Sequence, residues 1–201
     1  SERKNLSQLA SNTVDGSYNS LRHFLNESAW DVEKLNQRRW QVMQSCRQTT
    51  PSRGFTLIVD DSGHRKSGNA TDGVGRQYIG EIGKTDNGIV LLTTHLYDGV
   101  RRLPLDVALY QHASSLAGGK QDPNFIKKPD LALQLIDACL ERGSKPGVTL
   151  VDAGYGNNTP FIKQLESRKL TYIAAIAKNR QVTCQVSGDE RPRKHGLQEV
   201  G

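Results

Sequence analysis

Two aspartate-bearing stretches carry the groups best suited to chemistry in this chain. Phe55-Thr-Leu-Ile-Val-Asp60-Asp61-Ser62-Gly63 is an apolar run that ends in carboxylates, and Leu150-Val-Asp152-Ala-Gly154-Tyr-Gly156-Asn-Asn158-Thr-Pro160 repeats the device downstream. Carboxylates are hard oxygen ligands suited to Mg²⁺, which keeps several waters and completes its shell from substrate phosphate. Histidine and cysteine would favour zinc instead. Two ions roughly 3.5–4 Å apart, held by such carboxylates, can act on the attacking and leaving oxygens of a phosphoryl transfer. An aspartate at a strand end also serves as a helix cap or turn former. Either one alone therefore decides nothing, and the argument rests on both.

The elements that must position them are legible from pattern. Phe55 to Asp60 and Val148 to Val151 read as buried strands. After Asp152 a Gly-rich turn leads to a helix, Pro160 to Arg168, capped by Asn158 or Thr159 with Pro160 at its first position. Ile89 to Tyr97 and Val100 to Tyr110 are strand-like runs about Asp98-Gly99, a two-residue hairpin signal whose central residues both need positive φ. Residues 61–87 are rich in glycine and charge and read as an extended excursion with a short strand at Arg76 to Ile79. Residues 111–126 form a polar loop, and Lys127 to Arg142 a helix closed by Gly143. A last apolar strand spans Thr171 to Ala177.

Residues 1–53 form a helical N-terminal segment, with a capping box at Ser28-x-x-Asp31 and Arg38 and Arg39 beside Trp40 on its second helix. Those arginines suit a nucleic-acid surface; a solvated basic face with a packing tryptophan is the plainer account. Residues 54–180 make the core, and 181–201 read as the start of an insertion or a polar tail.

A net charge of +6 and a pI near 9.3 lean toward polyanions, although charge alone leaves an ordinary basic protein equally well described. No stretch approaches eighteen consecutive apolar residues and no signal peptide precedes Ser1, which sets the expectation of a soluble chain without membrane contact. The three cysteines are odd in number and lack a Cys-x-x-Cys pair, favouring a reducing compartment over structural zinc. The absent initiator Met suggests a fragment or processed chain.

Strand, two-stranded hairpin, helix, strand, helix, strand is an α/β order: a mixed sheet with flanking helices, as in a ribonuclease H-like fold. In that fold the first strand and the strand after the first helix are neighbours, so Asp60 and Asp152 are expected to meet.

Three blocks then carry a family resemblance over most of the chain. They are Ile58-Val-Asp60-Asp61-Ser62-Gly63, Gly75-Arg76-Gln77-Tyr78-x-Gly80-x-x-Gly83-Lys84-x-x-Asn87, and Val151-Asp152-Ala-Gly154-Tyr155-Gly156. Together with Leu21-x-x-Phe24-Leu25-x-x-Ser28-x-Trp30, they resemble bacterial insertion-sequence transposases of the DDE superfamily, in the branch with a β-rich insertion before the catalytic Glu. The resemblance implies Mg²⁺-dependent (or Mn²⁺-dependent) cleavage and strand transfer on double-stranded DNA, at transposon ends and target. It also implies a homodimer on DNA, in the bacterial cytoplasm with the nucleoid. It makes Asp60 the first catalytic and metal-binding carboxylate, with Asp61 as the other claimant, and Asp152 the second. Arg76, Lys84, Arg38 and Arg39 are the candidate DNA contacts.

The third carboxylate departs from the pattern. Glu166 comes too soon after Asp152, and Glu190 and Glu199 lie in the polar tail. The chain is therefore expected to lack it and to be inactive alone, which leaves a DNA-binding or dimerising transposase derivative as the main alternative. A methyltransferase that binds S-adenosylmethionine would explain the Gly-rich turn after Asp152, but its next strand should end in an acid and here ends Ala177-Lys178-Asn179. A phosphatase with Asp60 as nucleophile needs an aspartate where Ser62 stands.

Overall fold

The computed structural model describes residues 5–12, 17–51, 54–184 and 193–196. It divides into two compact units, Ser1–Cys46 and Arg47–Gly201.

The first unit holds helices α1 (Leu6–Ser11), α2 (Tyr18–Asn26) and α3 (Val32–Ser45). Each starts on a side-chain cap, from Asn5, Ser17 and Asp31. Asp31 is thus itself the N-cap of α3, accepting from the Lys34 N–H at 2.9 Å, rather than the distal member of a box begun by Ser28. The α2–α3 turn is closed by Trp30, whose ring meets Phe24 edge-on at 4.5 Å and whose indole N–H donates to the Phe24 carbonyl.

The second unit is a six-stranded mixed sheet with helices against it, the architecture of a ribonuclease H-like fold. Its strands are β1 (Thr56–Arg65), β2 (Gly75–Ile79), β3 (Lys84–Tyr97), β4 (Arg102–Tyr110), β5 (Val148–Val151) and β6 (Tyr172–Ala174). β3 is the hub, pairing antiparallel with β1, β2 and β4, while β5 joins β1 in parallel and β6 joins β5. β1 and β3 are longer than expected. β1 does not stop at its carboxylates but runs on to Arg65, because the 61–65 segment finds a complete ladder along Gly88 to Leu92. The hairpin turn is centred one residue later than expected, on Gly99-Val100. Only Gly99 takes positive φ, and the Asp98 carboxylate accepts the Val100 and Arg101 N–H groups.

Alternation sends Leu57 and Val59 of β1, Val90, Leu92 and Leu96 of β3, and Val151 of β5 to one face, where they are buried. α4 (Lys128–Glu141) lies against β3 and β4 and buries Ala132, Leu133, Leu135, Ile136 and Cys139; α6 (Thr159–Ser167) buries Phe161 and Leu165. Two arginine forks pin this layer. Arg142 grips Asp106 of β4 at 2.7 and 2.6 Å, and Arg168 grips Asp137 of α4 at 2.6 and 2.7 Å. The opposite face is more open: Leu150, Val107 and Ile173 are exposed there. Beyond β6, β7 (Gln181–Cys184) and β8 (Arg193–Gly196) pair as a separate two-stranded sheet within the stretch that the sequence leaves open between insertion and polar tail.

Candidate active site

The β1–β5 ladder fixes the site. Its last parallel pair is Val59 with Val151, so the next residues, Asp60 and Asp152, leave neighbouring strands at matching positions, and both line one cavity. Both are exposed. Asp152 is also the N-cap of a helical turn the sequence does not announce, α5 (Ala153–Gly156): its Oδ1 accepts the Gly154 and Tyr155 N–H groups at 2.9 and 3.3 Å. Oδ1 of Asp60 likewise accepts the Asp61 N–H at 2.8 Å. The cap and metal-ligand readings of Asp152 are therefore compatible, since one oxygen serves the backbone while Oδ2 has no hydrogen-bond partner among the described residues.

Asp60 and Asp152 line a cavity of about 660 Å³ together with Asp61, Gly63, Tyr78, Gly80, Val90, Lys128, Pro129, Gly154 and Tyr155. Burial pushes the Asp60 carboxyl above its ordinary range, and the negative charges of Asp61 and Asp152 push the same way; the Asp61 N–H and His95 oppose them. A cation bound between the two carboxylates would offset the repulsion felt by Asp60, and an all-oxygen pair fits Mg²⁺ or Mn²⁺. Among the described residues no cluster of three or more metal-ligating side chains forms.

Asp61, the other claimant, leaves the strand on the helix-covered face with Val59. There its Oδ2 takes the Lys128 ammonium at 2.5 Å. It borders the cavity but is already paired. Glu166 accepts the Tyr172 hydroxyl at 3.0 Å on α6 and is not part of the cavity lining. Glu190 and Glu199 lie outside the described residues.

Of the candidate DNA contacts in the second unit, neither Arg76 nor Lys84 lines the cavity of Asp60 and Asp152. Arg76 is exposed on β2 and lines a different cavity of about 450 Å³ with Asn69, Asp72 and Gln111. Lys84 opens β3 and is exposed. Both flank Asp86, whose carboxyl is held low first by the Asn87 N–H and then by Arg65, Lys84 and Arg76. Arg38 is exposed on α3, whereas Arg39 is half-buried and turned onto its own helix, donating twice to Asn36 and once to the Met43 sulfur.

Three residues at or beside the site carry no sequence signal of this role. Lys128 opens α4 next to Pro129, and only the tertiary fold brings it to Asp61. His95, across from Ile58 on β3, bonds Thr93, which in turn donates to the Asp60 carbonyl at 3.3 Å. Tyr155 is visible in the motif but its state is not: it is buried, its hydroxyl has no partner, and burial followed by the charges of Asp61, Asp152 and Asp60 drives its pKa up.

Comparison with known proteins places the chain in a family. The family described as DDE superfamily endonuclease matches residues 1–198. A curated relative, "Probable transposase for insertion sequence element IS701" from Microchaete diplosiphon, is 35% identical over 195 residues, covering 96% of this chain and 48% of its own length. The chain thus spans about half the length of that relative. With paired aspartates on adjacent parallel strands and a family match along nearly its whole length, the chain belongs to the DDE superfamily of endonucleases.

Proposed function

We propose that this chain carries two of the catalytic carboxylates of a transposase that cuts and rejoins DNA at the ends of a mobile element. The observation that carries the reading is the side-by-side exit of Asp60 and Asp152 from the parallel β1–β5 pair into one cavity. In this reading the second oxygens of Asp60 and Asp152 hold a divalent ion, Mg²⁺ or Mn²⁺, while the backbone N–H groups of Asp61, Gly154 and Tyr155 fix the first. A bound ion there supplies neutralisation of phosphoryl charge and activation of the attacking oxygen. The protein's own part is orientation: a strand ladder and a helix cap set both carboxylates with no loop between ladder and ligand.

Arg76, Lys84 and Arg38 are open to duplex phosphates; Arg39 is committed within α3. Each phosphate neutralised adds about −0.9 to the log–log salt slope of binding. With three open contacts the slope is expected near −3, and with Arg39 recruited near −4. Titrating duplex DNA across salt in fluorescence anisotropy tests this. A flat response, unchanged when Arg76, Lys84 and Arg38 are replaced by Ala, would reduce the basic balance to ordinary solubility.

For cleavage, a third carboxylate is needed to complete a two-ion centre, and the described residues bring none to the cavity except Asp61, which Lys128 holds. This favours a second reading for these 201 residues taken alone: DNA binding, or pairing with a longer copy, without cutting. Incubation with Mg²⁺ and end-containing DNA is expected to leave the strands intact, with Mn²⁺ giving traces at most. Clean nicking that disappears in Asp152→Asn would refute the two-of-three account.

A further inference from the structure

Asp61 borders the cavity as an ion-paired carboxylate, and the manner of its pairing has a consequence for substrate binding. Lys128 Nζ sits 2.5 Å from Asp61 Oδ2, with the two side chains 29% and 26% exposed, and 5.3 Å from the centroid of the Tyr110 ring. Lys128 thus stands in the same cavity as Asp60 and Asp152 without bonding to either. α4 begins at this point, and Lys127 offers its N-terminus no side-chain cap, so the positive end of a 14-residue helix adds to the ammonium charge. Tyr155, a buried donor without an acceptor, lines the same space.

Resting on the DNA-binding reading above, we propose that Lys128 is a phosphate-binding residue of the site, held in waiting by Asp61. Asp61 is fixed by its place in β1 opposite Leu92, whereas Lys128 swings on a four-carbon stem. A part-exposed ion pair adds little net stability, so exchanging the carboxylate for a backbone phosphate oxygen is cheap. The pairing also keeps the ammonium away from Asp60 and Asp152. If it moved to them, it would neutralise the carboxylates meant for a metal ion. Asp61 is then a positioning residue, which accounts for an aspartate next to the first ligand but on the other face of the strand.

The test is a cycle of Lys128→Met, Lys128→Arg, Asp61→Asn and the Lys128→Met/Asp61→Asn double variant. Each is titrated with labelled duplex DNA in EDTA by anisotropy at several salt concentrations. Methionine keeps an unbranched stem against Tyr110, and a melting curve checks folding. Lys128→Met is expected to make the log–log slope less negative by about 0.9, so the affinity lost between 50 and 200 mM salt shrinks about 3.5-fold. Lys128→Arg should keep the slope. Asp61→Asn should tighten binding in the parent chain and do so less in the Lys128→Met background. A slope unchanged in Lys128→Met, or an equal Asp61→Asn gain in both backgrounds, overturns the proposal. If the metal still binds in an Asp60-dependent way in that case, the active-site reading stands and only the role of Lys128 falls. Absence of duplex binding at any salt removes the DNA-binding reading and the role of Lys128 with it.

Discussion

Asp152 performs two jobs with two oxygens, and substitution can separate them. Asp152→Asn keeps an Oδ1 acceptor for the Gly154 and Tyr155 N–H groups but loses the charge; Asp152→Ala loses both. An N-cap replaced by Ala typically costs about 1 kcal/mol, within a range of roughly 0.5–2. In a domain of this size that lowers the melting temperature by about 2–4 °C. Asn is as good a cap as Asp, and its neutrality relieves the repulsion that Asp152 imposes on Asp60. In EDTA, Asp152→Asn should therefore melt at or slightly above the parent, and Asp152→Ala about 2–4 °C below it. With Mn²⁺ at ten times its dissociation constant, the parent gains about 1.4 kcal/mol, again roughly 3–6 °C, whereas both variants should gain nothing. Thermal melts with and without the ion read both effects. A metal-induced shift that survives in Asp152→Asn would show that Asp152 is a cap and not a ligand. Equal stability of the Asn and Ala variants in EDTA would show that the cap contributes nothing.

Two further outcomes follow from the same geometry. Because the Asp60 carboxyl is raised above its ordinary 3.8, its folded form binds the proton more tightly than the unfolded form; the chain loses that stability as pH rises through the folded value. Asp60→Asn should thus match the parent below about pH 3.8 and exceed it at neutral pH, by less than about 1 kcal/mol since the group stays open to solvent; chemical denaturation at both pH values checks this, and a gain at acid pH would contradict it. Gly156→Ala should destabilise by about 3 kcal/mol or more, because the new Cβ would lie 1.9 Å from the Ala175 carbonyl oxygen and overpacking against backbone cannot relax. A urea midpoint within error of the parent would mean that β6 yields at that point.

Features that depend on local pattern are already present in the amino-acid order. The apolar run before Asp60, the Asn158-Thr-Pro160 helix start, the Pro129 helix and the Gly99 turn are all legible there, because period, caps and turn chemistry are properties of a few neighbouring residues. The expected meeting of Asp60 and Asp152 comes from element order, since a right-handed crossover leaves few places for the second strand. Where β1 ends cannot be read that way, because the 61–65 segment is glycine- and charge-bearing and is a strand only by virtue of the β3 edge that pairs with it. The Asp152 helical turn is hidden for a related reason: four residues with two glycines have no helical signal until a cap and the end of β6 hold them. The site's electrostatics belong wholly to tertiary structure. Lys128 and Asp61 are 67 residues apart, yet their pairing decides which of two adjacent aspartates is left open beside Asp152. Strand alternation puts Asp60 and Asp61 on opposite faces, and only the packing of α4 on one of those faces makes them chemically different.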